Sequence, residues 1–138
     1  MLEKEIEQFR FEAIKSSIDT IIAKAENLKG MKIISHVFKD VNIELLRKVS
    51  DLLKQKSKSS IIVLGAHTEE NASILLAVTD NLVKKGIKAN ELIKEIAPLI
   101  NGSGGGRPQL AQAGSKEPKK VESAIKQANK LIKDKVNT

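Results

Sequence analysis

Aromatic side chains are scarce in this 138-residue chain, which has three phenylalanines and neither tryptophan nor tyrosine. Proteins that read single-stranded bases usually stack those bases on aromatic rings, so base stacking cannot be a main binding mode here. Any contact with nucleic acid is expected to reach phosphates, sugars and overall shape. Cysteine is absent altogether, which excludes disulfides, thiolate metal ligands and a cysteine nucleophile.

Long apolar runs are missing too. No run in the sequence approaches the ~20 residues that a helix needs to span a bilayer. The first residues, Met-Leu-Glu-Lys-Glu, lack the basic start and apolar stretch of a secretory signal. The length suits one domain, or one domain with a helical appendage. With 41% apolar and 30% charged residues, the sequence predicts a globular protein with no membrane contact and a cytoplasmic location.

What the chain has in excess is positive charge, and this charge is unevenly placed. The formal net charge is +7, and residues 107–138 hold eight Lys/Arg against three Asp/Glu. A concentrated basic field attracts polyanions and speeds their association. A solvated, lysine-rich helix face would have the same composition without any ligand, so charge by itself leaves both interpretations open.

The first thirty residues predict a helical arm. Apolar residues recur at spacings of four and three over residues 2–28, with a slip of one position near Ala13, and Gly30 stands where a helix-ending glycine is expected. A helix of this length with one apolar face needs a partner, either its own domain or a second copy of the chain. The sequence therefore divides into an arm, residues 1–30, and an α/β globular domain, residues 31–138, which we interpret below as nucleic-acid-binding.

The globular part alternates short apolar runs with amphipathic stretches. The apolar runs predict four strands at residues 31–38, 61–66, 73–78 and 109–113. The amphipathic stretches predict helices at residues 40–57, from Asn90 to a break at Pro98, and from Pro118 onward. Residues 67–71 have the length of a hairpin loop, and residues 80–88 are ambiguous. The fold class is α/β: an N-terminal helical arm followed by a small sheet of about four strands flanked by helices.

The most informative stretch is the run of three glycines, Gly104, Gly105 and Gly106, followed at once by Arg107 and Pro108. We predict a loop whose glycine backbone can come very close to a ligand or another chain, beside an arginine whose planar fork of donors suits phosphate. A P-loop is disfavoured because no Lys-Ser/Thr pair follows the glycines. A dinucleotide-binding loop is disfavoured because an arginine stands where its third glycine belongs. The remaining interpretations are a phosphate contact and a tight connection that only packs on the core.

Nothing in the sequence has the pattern of an active site. The two histidines, His36 and His67, have no cysteine or paired carboxylates nearby and are interpreted as core or loop residues. No serine has a recognisable base beside it, and the pair Glu69-Glu70 is interpreted as a solvated turn. We therefore predict no catalytic residues, no metal and no cofactor.

Residues 104–114 read Gly-Gly-Gly-Arg-Pro, one variable position, an apolar residue and then Ala-Gln-Ala-Gly. This string resembles the C-terminal domain of alanyl-tRNA synthetase, which is part of the wider DHH-associated domain family shared with a group of phosphoesterases. Ser115 departs from the pattern, since another glycine is expected there. The resemblance implies a helical extension followed by a small α/β globule, excised from a parent alanine-tRNA ligase and lacking its catalytic parts.

The function implied by this resemblance is non-catalytic binding of tRNA. In the family the domain binds the elbow of tRNA, here expected to be tRNA(Ala), and helps to couple aminoacylation with editing, so the aminoacylation and editing domains of the synthetase are expected partners. The resemblance assigns phosphate or sugar contacts to Gly104, Gly105, Gly106 and Arg107. From charge alone we add four lysines near the last helix, Lys116, Lys119, Lys120 and Lys126.

Two alternatives remain. One is an oligomerisation module that forms a homodimer through the N-terminal helix, although the slip in the apolar stripe argues against a long coiled coil. The other is the substrate-binding domain of a DHH-type phosphoesterase, although the ending Ala-Gln-Ala-Gly favours the synthetase. Binding of nucleic acids other than tRNA is left open as well.

Overall fold

The computed structural model describes residues 3–136. These residues contain one six-stranded sheet with the strand order β1-β2-β3-β4-β6-β5. The neighbours β2 and β3 are parallel, and every other pair of neighbours is antiparallel. The strands are β1 (Glu26–Leu28), β2 (Met31–Lys39), β3 (Ser60–His67), β4 (Ala72–Val78), β5 (Ser103–Gly106) and β6 (Leu110–Ser115).

Two layers of helices enclose the sheet. On one face lie α5 and α6, and on the other lie α2 and α3. The α-helices are α1 (Glu3–Lys15), α2 (Ile18–Ala23), α3 (Ile43–Lys56), α4 (Asp80–Lys84), α5 (Ala89–Ile96) and α6 (Val121–Val136). A 3₁₀ turn at Ala97–Ile100 follows α5, and another at Pro118–Lys120 leads into α6. Within the described residues, none of the helices combines the length and the apolar character that a membrane crossing requires.

The core lies on both faces of the central strands. Alternate residues of β3 point into the two layers: Ile61 and Val63 pack on the α5/α6 side, while Ile62 and Leu64 pack on the α3 side. All four side chains are fully buried. Burial on both faces explains why this strand has a continuous apolar run in the sequence rather than an alternating pattern.

α3 forms the crossover between the parallel strands β2 and β3. Asn42 caps its start, since the side-chain Oδ1 accepts a hydrogen bond of 2.9 Å from the backbone N–H of Leu45. Its inward face consists of apolar residues at helical spacing, and Leu45, Leu46, Val49 and Leu53 are all buried. This face anchors the helix on β3 and β4.

The single N-terminal helix predicted over residues 2–28 is wrong. α1 and α2 are separate helices, and β1 follows them and pairs with β2 as a hairpin. Lys29 and Gly30 form its two-residue turn with positive φ angles of 53° and 81°, as a type I′ turn requires. Gly30 therefore turns a hairpin instead of ending a helix. The slip in the apolar stripe near Ala13 lies close to the break between α1 and α2.

The two halves of the arm differ in burial. Ile18 and Ile21 of α2 are buried in the core on the α3 side, whereas Ile6 and Phe9 of α1 are 39% and 69% exposed. Both halves of the arm contact the domain, α1 through α3 and α2 through β2, but only α2 has fully buried apolar side chains. The division into two domains at residue 30 stays a prediction, and the ends of the predicted ranges, residues 1, 2, 137 and 138, lie outside the described part of the chain.

The sheet has six strands instead of about four. The predicted strands correspond to β2, β3, β4 and β6, and the two additional strands, β1 and β5, are its edges. The expected glycine loop is the edge strand β5, which sequence reasoning misses because glycines lack the β-branched and aromatic side chains that mark a strand. The helix predicted to start at Asn90 begins one residue earlier, at Ala89, and Lys88 holds the position just before it.

Candidate nucleic-acid interface

β5 and β6 form a hairpin closed by a two-residue turn. The backbone N–H of Arg107 donates to the carbonyl of Leu110 at 2.8 Å, and the N–H of Leu110 donates back to the carbonyl of Arg107 at 3.2 Å. The turn residues, Pro108 and Gln109, are tied to the rest of the fold because their carbonyls accept hydrogen bonds from backbone N–H groups of α5 and β4. Arg107 therefore lies at the base of an anchored turn, with its side chain exposed.

Packing against β6 requires a glycine at two of the three glycine positions in the hairpin. A Cβ atom on Gly104 would lie 2.0 Å from the carbonyl oxygen of Gln112, and one on Gly106 would lie 2.4 Å from that of Leu110. At these two positions the close approach of β5 and β6 excludes a side chain. A Cβ atom on Gly105 would meet nothing within 4 Å. The fold therefore does not explain why Gly105 lacks a side chain.

Gly105 lies on an open face of the sheet. It is directly opposite Gln112 in the β5–β6 register, so side chains at these two positions belong to the same face. α3 packs on that face over β3 and β4, while α5 covers the other face of β5 and β6. The uncovered part forms a depression that we name the hairpin groove. It is lined by Ile43, Arg47, Ser73, residues 103–107 and residues 110–114.

Two arginine side chains line the hairpin groove, Arg47 and Arg107. Arg47, on α3, donates from Nε and Nη2 to the Oε1 atom of Gln112 at 3.1 and 2.5 Å. Arg107 makes no side-chain hydrogen bond to any described residue, and neither arginine has a carboxylate partner among those residues. Because a guanidinium stays charged and presents several donors in a plane, the groove offers two cationic forks for an anion such as phosphate.

Lys54, also on α3, supports the turn of the hairpin. Its Nζ atom donates to the carbonyl of Gln109 at 3.1 Å. Burial lowers the pKa of the Lys54 ammonium, and nearby Arg107 lowers it too, while Asp51 and Asp80 act in the opposite direction. Lys54 therefore ties the second half of α3 to the hairpin turn, close enough to Arg107 for that positive charge to act on the ammonium.

Sequence reasoning does not place Arg47 and Lys54 beside the glycine motif, where the structure has them. Their separation of seven positions places them on one side of α3, and that spacing is the only signal the sequence contains. The stretch around α3 also carries acidic residues, so it does not stand out by charge. Only the position of α3 over β3 and β4, from which these side chains reach Gln112 and Gln109, reveals that they lie next to the glycine motif.

The structure separates the predicted site residues into two surfaces. The three glycines and Arg107 border the hairpin groove, whereas the lysines follow the other end of β6, where Ser115 pairs with Ala72. α6 packs on the face of the sheet opposite α3. The lysines of this second surface, which we name the α6 surface, are all exposed: Lys116, Lys119, Lys120 and Lys126.

The two histidines lie on neighbouring strands of the sheet, β2 and β3. His36 lies on β2 with its ring edge-on to Phe38, at a centroid distance of 4.7 Å. Burial lowers the pKa of His36, and the positive charge of Lys24 lowers it further. His67 is the last residue of β3. Within the part of the chain that the structure describes, no three His, Cys, Asp or Glu residues are placed to hold a metal ion.

The fold and the glycine motif agree with a known class of domain. The family model of the DHHA1 domain matches residues 30–134. The chain therefore belongs to the DHHA1 domain family. The match covers the whole six-stranded sheet except for β1, together with α3 to α6, so it includes both walls of the hairpin groove.

Within this family the chain is similar to alanyl-tRNA synthetases. It is 38% identical over 135 residues to the alanine–tRNA ligase of Alkaliphilus metalliredigens and 40% identical over 134 residues to that of Acetivibrio thermocellus. These alignments include 98% and 97% of the chain, which spans only 15% of the length of each relative. The resemblance inferred from residues 104–114 is confirmed.

Solved structures agree. The C-Ala domain of alanyl-tRNA synthetase from Aquifex aeolicus superposes with a TM-score of 0.71 and 30% identity, covering 80% of this chain and 98% of that domain. A DHH-domain protein described as a member of the s1p family of ribosomal proteins superposes with a TM-score of 0.61 over 91% of this chain and 31% of its own. At 16% identity, that second likeness shows a shared fold alone.

Proposed function

We propose that the chain is a non-catalytic, tRNA-binding C-terminal domain of an alanine-tRNA ligase. The single observation that carries this proposal is the open hairpin groove, where two arginines without carboxylate partners flank the Gly-Gly-Gly-Arg motif. The likeness to alanine–tRNA ligases over nearly the whole chain supports tRNA as the partner. tRNA(Ala) is therefore the expected ligand.

The mechanism is electrostatic capture followed by recognition of shape. The net charge of +7 draws the RNA to the surface, and cationic side chains that neutralise phosphates displace counterions. With no tryptophan or tyrosine in the chain, base stacking contributes little. We propose that the domain grips the outer corner of tRNA and keeps it bound while the acceptor end moves between the aminoacylation and editing domains of the parent enzyme.

Binding to four nucleic acids at one fixed salt concentration tests the proposed function. The panel is tRNA(Ala), a second full-length tRNA, an acceptor-stem minihelix and a double-stranded DNA. Tight binding of both tRNAs with weak binding of the minihelix is the expected result, because only the full-length molecules have an elbow. Equal binding to all four would reduce the interface to a nonspecific basic surface, and no binding would refute the function.

Arg107→Ala is expected to weaken tRNA binding without unfolding the domain. The side chain is exposed and makes no hydrogen bond within the described residues, so its loss removes donors for the ligand and little packing. Dissociation constants for tRNA, together with thermal melting curves, measure the two effects separately. An unchanged dissociation constant would remove Arg107 from the interface.

Exposed apolar residues on α1 favour oligomerisation as a second candidate function. Ile6 and Phe9 both lie on α1, and Phe9 is the more exposed of the two. We expect a homodimer formed through α1 to be disrupted by Phe9→Glu, since a charge would enter an apolar seam. The molar mass of both forms by sedimentation tests this, and a monomeric wild type would reject it.

A further inference from the structure

We propose that the hairpin groove holds the sugar–phosphate backbone of tRNA, with Arg47 and Arg107 binding phosphates above the bare backbone of Gly105. This inference rests on the proposed function and names the surface that performs it. It adds Arg47, on α3, to the interface and assigns the contact to the α3 side of the sheet. It also places the α6 surface outside this contact.

The charge of the groove is available to a ligand. Arg47 uses Nε and Nη2 for Gln112 and keeps its other donors free, while the Arg107 guanidinium has no partner among the described residues. Among residues 3–136, no carboxylate side chain lines the groove. A bound phosphate would therefore meet two cationic forks and form the strong, charge-assisted hydrogen bonds that such pairs allow.

The floor of the groove is unusually bare. Gly104 and Gly106 are glycine because β6 leaves no space for a side chain, but a Cβ atom on Gly105 would stand in open space within the groove. A fold that only needed a tight hairpin would tolerate a larger residue there. A missing side chain on an open strand lets a phosphate or ribose approach the peptide groups closely, which is what a backbone-binding site needs.

The lining of the groove also fits the backbone of RNA better than its bases. Within the described part of the chain, neither an aromatic ring nor a carboxylate lines it. These residues therefore offer no platform for base stacking and no acidic group to repel phosphate. Gln112 fixes the Arg47 guanidinium from the side of β6. This contact restricts the arginine before the RNA arrives and lowers the entropy lost on binding.

Charge reversal at matched positions tests the proposal. Full-length tRNA is titrated at one fixed salt concentration into the wild-type chain, Arg47→Glu, and two controls, Lys48→Glu and Lys126→Glu. Lys48 is exposed on α3 next to Arg47 but does not line the hairpin groove, and Lys126 belongs to the α6 surface. We expect Arg47→Glu to weaken binding by about tenfold or more and each control to stay within roughly threefold.

The salt dependence gives a second readout for the same variants. Loss of one phosphate contact should make the slope of log K against log salt shallower by about one. Arg47→Glu should show this change, and Lys48→Glu should keep the wild-type slope. A general effect of net charge would instead shift all three variants alike.

Gly105→Val tests the floor of the groove without changing any charge. The added side chain enters the groove and meets no nearby atom at Cβ, and valine suits a strand. We therefore expect an unchanged melting temperature together with a loss of tRNA binding similar to that of Arg47→Glu. Melting curves of every variant confirm that the binding data refer to folded protein.

The inference requires both effects. Wild-type affinity in either Arg47→Glu or Gly105→Val would overturn it, and so would equal losses in Arg47→Glu and the two controls. In those cases tRNA binding by the wild type still stands, and the proposed function then rests on the likeness to alanine–tRNA ligases, with a different surface in contact with the RNA. If the wild type fails to bind tRNA in the four-ligand panel, the proposed function and this inference fall together.

Discussion

The hairpin groove and the α6 surface are both basic, but they are built in opposite ways. Lysines of the α6 surface come from one short stretch of sequence and sit exposed at the end of β6 or on an outer helix. The groove takes Arg47 from α3 and Arg107 from the hairpin, which are far apart along the chain, and sets them around bare backbone. In this protein, the basic residues that are neighbours in the sequence form an exposed surface. The two arginines that come together only in the folded chain line a concave groove.

Part of the charge on α6 serves the fold itself. Lys133 forms an ion pair with Glu26 of β1, and Lys135 pairs with Glu95 of α5 at 2.6 Å. These contacts tie the last helix to the sheet edge and to its neighbour, although surface pairs of this kind contribute only about 0–1 kcal/mol each. The basic C-terminal stretch is thus partly neutralised within the domain, while the two groove arginines are not.

The largest expected effect is a difference in stability between alanine substitutions at two glycines of the groove, Gly104 and Gly105. Gly104→Ala should lower the free energy of unfolding by about 1–3 kcal/mol, the cost of forcing extra atoms into a packed site, because its Cβ would overlap the backbone of β6. Gly105→Ala is the matched control, since the same methyl group meets nothing there. Urea unfolding of both variants measures the difference, and equal stability would contradict the geometry of the hairpin.

A smaller effect is expected from the α6 surface. The triple variant Lys119→Gln, Lys120→Gln and Lys126→Gln removes three positive charges and should weaken tRNA binding by less than about tenfold, through the general field alone. Arg47→Glu should cost more in the same assay. If the triple variant binds tRNA more weakly than Arg47→Glu does, the α6 surface contributes more to binding than the hairpin groove, contrary to the proposal.

The smallest effect concerns pH and lies outside both surfaces. The pKa of His36 is lowered from its ordinary 6.5 by burial and by Lys24, so the unfolded chain binds this proton more readily than the folded one. The free energy of unfolding is therefore highest above that value and falls as the pH drops through it. Urea unfolding at about pH 7.5 and about pH 5.5 should show a loss that is smaller in His36→Gln.

The same variant controls for the interface. β2, which carries His36, is separated from β6 by β3 and β4, so His36→Gln should bind tRNA with the wild-type affinity. Weaker binding by this variant would mean that the interface reaches the opposite half of the sheet.

Apolar patterning explains which elements are predictable from sequence. β3 and β4 are buried on both faces, so their continuous apolar runs leave little choice of structure, and α3 combines an Asn42 cap with a regular apolar face. The edges of the sheet are different. β1 is only three residues long, and its residues continue the apolar spacing that predicts a helix over residues 2–28. β5 is almost all glycine and has no apolar pattern. Tertiary pairing with a neighbouring strand, rather than local preference, makes both into strands.

The sequence by itself determined the α/β class, the central strands, the absence of thiol chemistry and the Gly-Gly-Gly-Arg motif that identifies the family. These depend on composition and on local periodicity, which a linear reading captures. Only the tertiary structure decided that Arg47 faces the motif, that Gly105 lies bare in a groove, and that the lysines of α6 lie elsewhere. Each of those facts depends on contacts between residues distant in the chain. Such contacts are set by the packing of α3 on β3 and β4 and by the pairing of β6 with β4 and β5.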